Sequence, residues 1–258
     1  MQIIENSVRQ WLAAALLMTL TGLTASVYQL WNDYGNRDVN INGYIAPIDL
    51  FGYIESVQEA TLKVECENLY GSGFSFDFEE GDKAKFNFEW QNQENSSIIL
   101  TNYHVIKNCH ENSLQVYLTD ETGSRLLGKI LKVDINNDIS AIWVSKRIYS
   151  LFATPNINRS GYWNMAVGSP FEMTGSVTFG NIIYTEGNRV YTSASLNKGN
   201  SGGPLVDNTL LVMGINTGYK AVAQNLNFAT DINALCDVIA TCSKYDGLLH
   251  PYFDEFEK

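Results

Sequence analysis

A chain of 258 residues, 45% of them hydrophobic, is long enough for one large domain or two small packed ones. Its formal net charge of −11, from 17 basic and 28 acidic residues, leaves no basic face for phosphate contacts and excludes nucleic acid as the expected partner. Acidity otherwise names no partner, beyond mildly favouring cationic substrates.

The first element is apolar. From Gln10 to Asn32 there is no charge, and the stretch Trp11–Trp31 reaches the length of about 20 residues that spans a bilayer. Aromatic residues at both ends suit membrane interfaces, and Arg9 with the free amine favours a cytoplasmic N-terminus. Residues 1–31 therefore read as an uncleaved signal anchor or as a signal peptide cut near Thr24-Ala25-Ser26; a buried soluble helix is the weaker alternative. The apolar run continues past that cleavage site, which favours the anchor. Either reading places the remainder of the chain outside the cytoplasm, in the periplasm or exterior, anchored or secreted. Residues 32–49 then form a polar linker.

Short strand-like runs between turn signals dominate from there on, and helical periodicity is scarce. Alternating aromatics from Ser75 to Trp90 suggest an extended hairpin. Ile98-Ile99-Leu100-Thr101-Asn102-Tyr103-His104-Val105-Ile106 reads as a buried strand that leaves its core at the histidine. His110, in a polar stretch, and His250, in the acidic tail, read as solvated surface residues. Asp138 heads the apolar run Ile139–Val144, a sensible place for a carboxylate aimed into a cleft. Asp134 reads as a turn or capping aspartate.

Gly199-Asn200-Ser201-Gly202-Gly203-Pro204 sets a serine among small turn-forming residues beside backbone N–H donors. The pattern G-x-S-x-G alone is shared with the nucleophile elbow of α/β-hydrolases and with ordinary turns. A serine needs a base, usually a histidine held in the right tautomer by a carboxylate. Here the order is His104, Asp138, Ser201, whereas an elbow needs serine, acid, histidine and a helix starting at the serine. Pro204 leads instead into Leu205-Val206 and Leu210–Ile215, which read as strand, turn and strand.

Toward the C-terminus, Thr230 or Asp231 could cap a helix carrying Ile232, Leu235, Val238 and Ile239, with Gly247 as its stop. Four cysteines, Cys66, Cys109, Cys236 and Cys242, allow three pairings, and free buried thiols are the alternative. Cys236 and Cys242, six residues apart in the expected helix, pair only if that helix ends between them. Without a C-x-x-C pair, and with His110 the only nearby imidazole, a zinc site is not expected.

The segments Gly71-Ser72-Gly73-Phe74, Leu100–Ile106, Asn137-Asp138-Ile139-Ser140-Ala141, Ala166–Phe171, Ser195–Leu205 and Gly214-Ile215-Asn216-Thr217 resemble, in order, the successive motifs of trypsin-like serine peptidases of the HtrA/Deg branch. The resemblance covers roughly residues 50–240. It implies an all-β fold of two Greek-key six-stranded β-barrels with the active site between them. The expected organisation is a peptidase domain over 50–247, with barrels at about 50–150 and 151–230 and a C-terminal helix at 231–246, followed by an acidic tail at 248–258. The chain departs from the family at Lys198, where proline is usual, at Ser140, where a small residue is usual, and in the longer stretch between Gly73 and His104. After Thr230 too few residues follow for the PDZ domain that many relatives carry, so activation through one is not expected.

By this resemblance His104, Asp138 and Ser201 form the catalytic triad of an endopeptidase, with the N–H groups of Gly199 and Ser201 as the oxyanion hole and no metal or cofactor. Ser195, Thr217, Gly218, Tyr219 and Phe228 line the substrate strand and primary pocket. Uncharged Ser195 argues against a basic residue before the cut, and Phe228 favours a small or medium aliphatic one, although core packing explains Phe228 equally well. The implied partners are unfolded or exposed polypeptides, in envelope quality control, with a homo-oligomer allowed but not demanded. Two alternatives stand beside this: a catalytically latent sensor or binding module, and an esterase or acyl transferase using the same triad.

Overall fold

Residues 41–78, 85–89, 95–153, 159–170, 175–219 and 226–242 are described by the computed structural model. The chain divides into two units, Met1–Ile41 and Asn42–Lys258, and both barrels belong to the second. The expected anchor, the first half of the linker and the acidic tail lie outside the described residues. Among the described residues no helix is long and apolar enough to cross a membrane.

A helix, α1 (Leu50–Ala60), precedes the first barrel. Asp49 caps it, accepting the Gly52 N–H at 3.1 Å. Leu50, Ile54 and Val57 recur at helical spacing and turn one face onto the largest apolar cluster. This helix is not anticipated from the sequence, and the barrel itself begins later than 50, at Thr61.

The first barrel is built on alternation. In β1 (Thr61–Cys66) Leu62, Val64 and Cys66 face one core, while Lys63 and Glu65 face out. Next come β2 (Leu69–Ser75), the outlying β3 (Lys85–Phe86), β4 (Ser97–Thr101), helix α2 (Tyr103–Glu111), β5 (Val116–Thr119), β6 (Arg125–Asp134) and β7 (Ile139–Val144). Six of these strands close in the order β1-β2-β4-β7-β6-β5. Strand β4 ends at Thr101, and the chain turns directly into α2, so His104 sits in the first turn of a helix and not at a strand end. The Cys66–Cys109 disulfide, with Cα atoms 5.8 Å apart, ties α2 to β1.

The second barrel comprises β8 (Trp163–Gly168), β9 (Ser176–Glu186), β10 (Arg189–Thr192), β11 (Pro204–Val206), β12 (Val212–Tyr219) and β13 (Asn227–Asp231), closed in the order β10-β13-β12-β11-β8-β9. The molecule is thus all-β with two closed six-stranded barrels, as the resemblance implies. Each barrel has its own core, around Leu62 and Ile142 in the first and Ala166 and Val190 in the second. A third, larger cluster joins Phe74, Leu100 and Ile139 of the first barrel to Met165, Val167 and Ile215 of the second.

The expected C-terminal helix over 231–246 is corrected. Asp231 accepts the Asn233 N–H at 2.9 Å and starts a 3-10 turn, Ile232–Ala234, which continues as α3 (Leu235–Val238). The chain then turns into β14 (Ala240–Thr241), and Cys236 and Cys242 form a disulfide with Cα atoms 5.4 Å apart. Six residues of continuous helix would rise about 9 Å, too far for that bond, so helix and disulfide are incompatible.

Strand β14 pairs with β3, Ala240 opposite Phe86. No extended hairpin over Ser75–Trp90 is seen among the described residues. Instead Phe76, Phe78, Phe86 and Phe88 form a chain of ring contacts, with centroids 5.3, 4.9 and 5.1 Å apart, that covers the inter-barrel cluster.

Candidate active site

Asp138 ends the tight turn between β6 and β7 with a left-handed backbone, φ 58°, a conformation aspartate tolerates better than most residues. The turn is held by Asp134, whose Oδ1 accepts the N–H groups of Asn136 and Asn137 at 3.0 and 3.1 Å. Asp134 is therefore the turn aspartate its position suggests. Asp138 is left to face α2. Its Oδ1 accepts the His104 backbone N–H at 2.8 Å, one of the donors that every helix start leaves unpaired. Its Oδ2 lies 2.7 Å from His104 Nδ1. A carboxylate can only accept, so Nδ1 donates to it, and in the neutral ring that leaves Nε2 as the basic nitrogen. The His104 side chain is 47% exposed, open to a substrate.

Asn102, just before the helix, carries this arrangement across to the second barrel. Its Nδ2 donates to the Asp138 carbonyl at 2.9 Å and to Thr217 Oγ1 at 3.2 Å. Thr217 Oγ1 in turn donates to Ile215 O at 2.8 Å. Burial and the neighbouring Glu111 carboxylate push the Tyr103 phenol above its ordinary value, so it stays neutral and donates to Glu111 Oε1 at 3.3 Å.

Ser201 lies in the turn before β11. Its backbone is fixed on both sides, by Ser72 N–H donating to Ser201 O at 2.7 Å and Gly202 N–H donating to Asn216 O at 2.8 Å. Its hydroxyl donates to Thr217 O at 3.1 Å. Among the described residues it makes no hydrogen bond with His104, so of the expected pairings His104 has that with Asp138 and lacks that with Ser201.

Gly199 has φ 104°, and a Cβ there would stand 2.5 Å from Ser169 O and 2.8 Å from Pro170 Cα. Only glycine combines that backbone with that approach. Its carbonyl is held by the Ser72 hydroxyl at 2.7 Å, and the same hydroxyl accepts the Ser169 N–H at 2.8 Å. Among the described residues the N–H groups of Gly199 and Ser201 have no acceptor. Two unpaired N–H groups flanking a hydroxyl, with a carboxylate-oriented imidazole on the facing barrel, can support acyl transfer.

A family model for the trypsin-like peptidase domain matches residues 71–215, more than half of the chain. The chain belongs to the trypsin-like peptidase family. A protein of Synechocystis sp. named as a serine protease, HhoB, is 31% identical over 169 residues, 60% of this chain and 39% of the relative. A protein of Rickettsia prowazekii named as a DegP-like periplasmic serine endoprotease is 29% identical over 170 residues, 59% of this chain and 32% of the relative. The crystal structure of the serine endoprotease from Yersinia pestis superposes with a TM-score of 0.59 at 25% identity, over 74% of this chain and 65% of that one. Alignments to the two curated relatives thus span less than half of their length.

In this member of the family Ser195, the residue expected at the base of the pocket, is exposed, its carbonyl taking the Thr178 hydroxyl at 2.9 Å. Gly218 and Phe228 pair across β12 and β13, and a Cβ on Gly218 would meet the Phe228 ring at 3.2 Å. The Phe228 ring also carries the Arg189 guanidinium at 5.0 Å, with Tyr191 at 6.0 Å. Half-buried Phe228 thus belongs as much to this aromatic row as to a pocket. Tyr219 ends β12, its backbone opposite Asn227.

Ser72, Asn102 and Asn216 are the site residues that sequence reasoning missed. Asn216 is fully buried and braces the loop by donating from Nδ2 to Pro204 O at 2.9 Å and Val167 O at 3.2 Å. All three fall inside recognised motifs, which flagged the segments without giving those side chains a task.

Proposed function

We propose that this chain is an extracytoplasmic serine endopeptidase that cleaves unfolded or exposed polypeptide segments with His104, Asp138 and Ser201. The observation that carries the reading is the double grip of Asp138 on the His104 backbone and ring, facing a serine whose flanking N–H groups are unpaired. The step requires the Ser201 hydroxyl to leave Thr217 O and donate to Nε2 of His104. Oγ then attacks the peptide carbonyl carbon while its proton passes to Nε2, and the carbonyl oxygen, now negative, takes the N–H groups of Gly199 and Ser201. Collapse breaks the C–N bond, Nε2 returns the proton to the leaving amine, and an ester on Ser201 remains. Water, deprotonated by the same nitrogen, attacks that ester; the C–O bond to Ser201 breaks, the acid product leaves, and Nε2 returns the proton to Ser201 Oγ. Asp138 holds the ring in place and stabilises the transient imidazolium.

The compartment rests on chemistry as well as on likeness. Two disulfides take up all four cysteines, which fits an oxidising environment, and the DegP-like relative is named as periplasmic. The uncharged segment Gln10–Asn32 would supply the membrane attachment.

One observation favours a second reading, a latent or non-catalytic module: the Ser201 hydroxyl rests on Thr217 O and not on His104. Full-length wild type and Ser201→Ala, purified in detergent, separate the two with a fluorophosphonate probe and unfolded casein. The endopeptidase reading expects labelling and cleavage that both vanish in the variant. A wild type that never labels, even with added peptide or membrane, overturns it; labelling without proteolysis would point to an esterase or a latent enzyme.

A further inference from the structure

Lys198 stands directly before Gly199, at the position where the family resemblance leads one to expect proline. Its side chain is exposed, and among the described residues it has no carboxylate within 4.0 Å, in a chain with a net charge of −11. Its Nζ lies 6.0 Å from the centre of the Tyr70 ring. Residues i and i+2 share one face of a strand, so Tyr70 projects from the same side of β2 as Ser72, whose hydroxyl holds the Gly199 carbonyl. That explains how Lys198 comes to the ring. A second ammonium, Lys63 Nζ, is 5.6 Å from the same ring, but it is paired with Glu65 at 3.2 Å. The Tyr70 ring thus gathers two cations and one carboxylate.

The nucleophile has two flanks. On one, Thr217 of β12 accepts the Ser201 hydroxyl; on the other, Ser72 of β2 donates to the Ser201 carbonyl. If the acyl half of a substrate runs along β12, as the family resemblance implies, the leaving half is directed toward β2, where Tyr70 and Lys198 sit. We propose that Lys198, seated on Tyr70, is a specificity-determining residue that favours a substrate carboxylate one or two residues after the cleaved bond. The inference rests on the endopeptidase reading and deepens it. Lys198 touches no reacting atom; it acts by ion pairing at an exposed position, so its effect is modest and salt-sensitive.

The test compares peptides that differ only in the first or second residue after the cleaved bond: Asp, Ala or Lys. For full-length wild type, Lys198→Ala, Lys198→Arg and Lys198→Glu, kcat/KM is measured and the Asp/Ala ratio taken within each protein, so that changes in overall activity cancel. The expected ratio at low salt is about two- to fivefold in wild type and Lys198→Arg, the range of an exposed ion pair. It falls to about one in Lys198→Ala, inverts in Lys198→Glu in favour of Lys peptides, and shrinks in wild type at high salt. Wild type that labels with fluorophosphonate and cleaves, but with the same ratio in all four proteins, overturns this inference alone. Wild type that neither labels nor cleaves overturns the endopeptidase reading and this one with it.

Discussion

Every polar atom of Ser72 is bonded to a segment that builds the site. Its N–H reaches Ser201 O at 2.7 Å and its carbonyl accepts the Thr101 hydroxyl at 2.6 Å. Its hydroxyl bridges Gly199 O and the Ser169 N–H. Ser72→Ala keeps the strand but leaves two buried backbone groups without a partner, which costs about 1–3 kcal/mol for each. It also releases the carbonyl that fixes Gly199 in its left-handed conformation. The expected outcome is a loss of stability of that size in urea denaturation together with slower fluorophosphonate labelling at full folding; wild-type labelling in a measurably destabilised variant would show that Ser72 supports the fold and not the nucleophile loop. The triad candidates were legible in the sequence because histidine, aspartate and serine carry recognisable chemistry in a recognisable order. Ser72 was legible only as a letter in a motif, because its hydroxyl partners lie 127 and 97 residues away and no local pattern encodes them.

At the scale of elements, strands were easier to read than helices, and the reason is periodicity. Alternation in β1 and β5 survives in the sequence, whereas the continuous apolar run Ile98–Ile106 conceals the switch from β4 to α2 at Asn102. The turn joining β5 to β6 shows how one buried carboxylate fixes such an element. The Asp120 side chain is 3% exposed and is paired with Lys146; it also accepts Thr122 Oγ1 at 2.6 Å and the Ser124 N–H at 2.9 Å. Burial pushes its carboxyl up, but hydrogen bonds from Lys146, Thr122 and Ser124 and the Lys146 charge outweigh that and hold it below the ordinary value. A carboxyl lowered on folding stabilises the folded state above its unfolded value of about 3.9, and this stabilisation is lost as the pH falls from there through the lower folded value. Asp120→Asn should therefore be less stable than wild type at pH 7 and lose less stability between about pH 5 and 2. Denaturant melts across that range check it, and parallel pH profiles would refute the role given to Asp120.

For the whole molecule, the candidate site is divided: His104 and Asp138 belong to the first barrel, Ser201 and Thr217 to the second. What keeps the halves in register is the apolar cluster between the barrels, together with the Asn102 bridge from Asp138 O to Thr217. Leu100 is fully buried in that cluster, one strand position before Thr101, whereas Leu118 is fully buried in the first barrel's own core. Either leucine cut to alanine should cost about 2–5 kcal/mol, since both leave a cavity in a packed core. Their effects on the site should differ. A cavity at Leu100 loosens the seam between the barrel that carries His104 and the one that carries Ser201, while one at Leu118 leaves that seam packed. Leu100→Ala is therefore expected to lower the rate of fluorophosphonate labelling at temperatures where the protein is still folded by near-ultraviolet circular dichroism, and Leu118→Ala to lower only the melting temperature. Because the shared cluster couples the barrels, loss of dichroism should remain a single transition in wild type. Two separate transitions, or equal labelling rates in the two variants below their melting temperatures, would show that the barrels are joined by the site loops and not by the core between them.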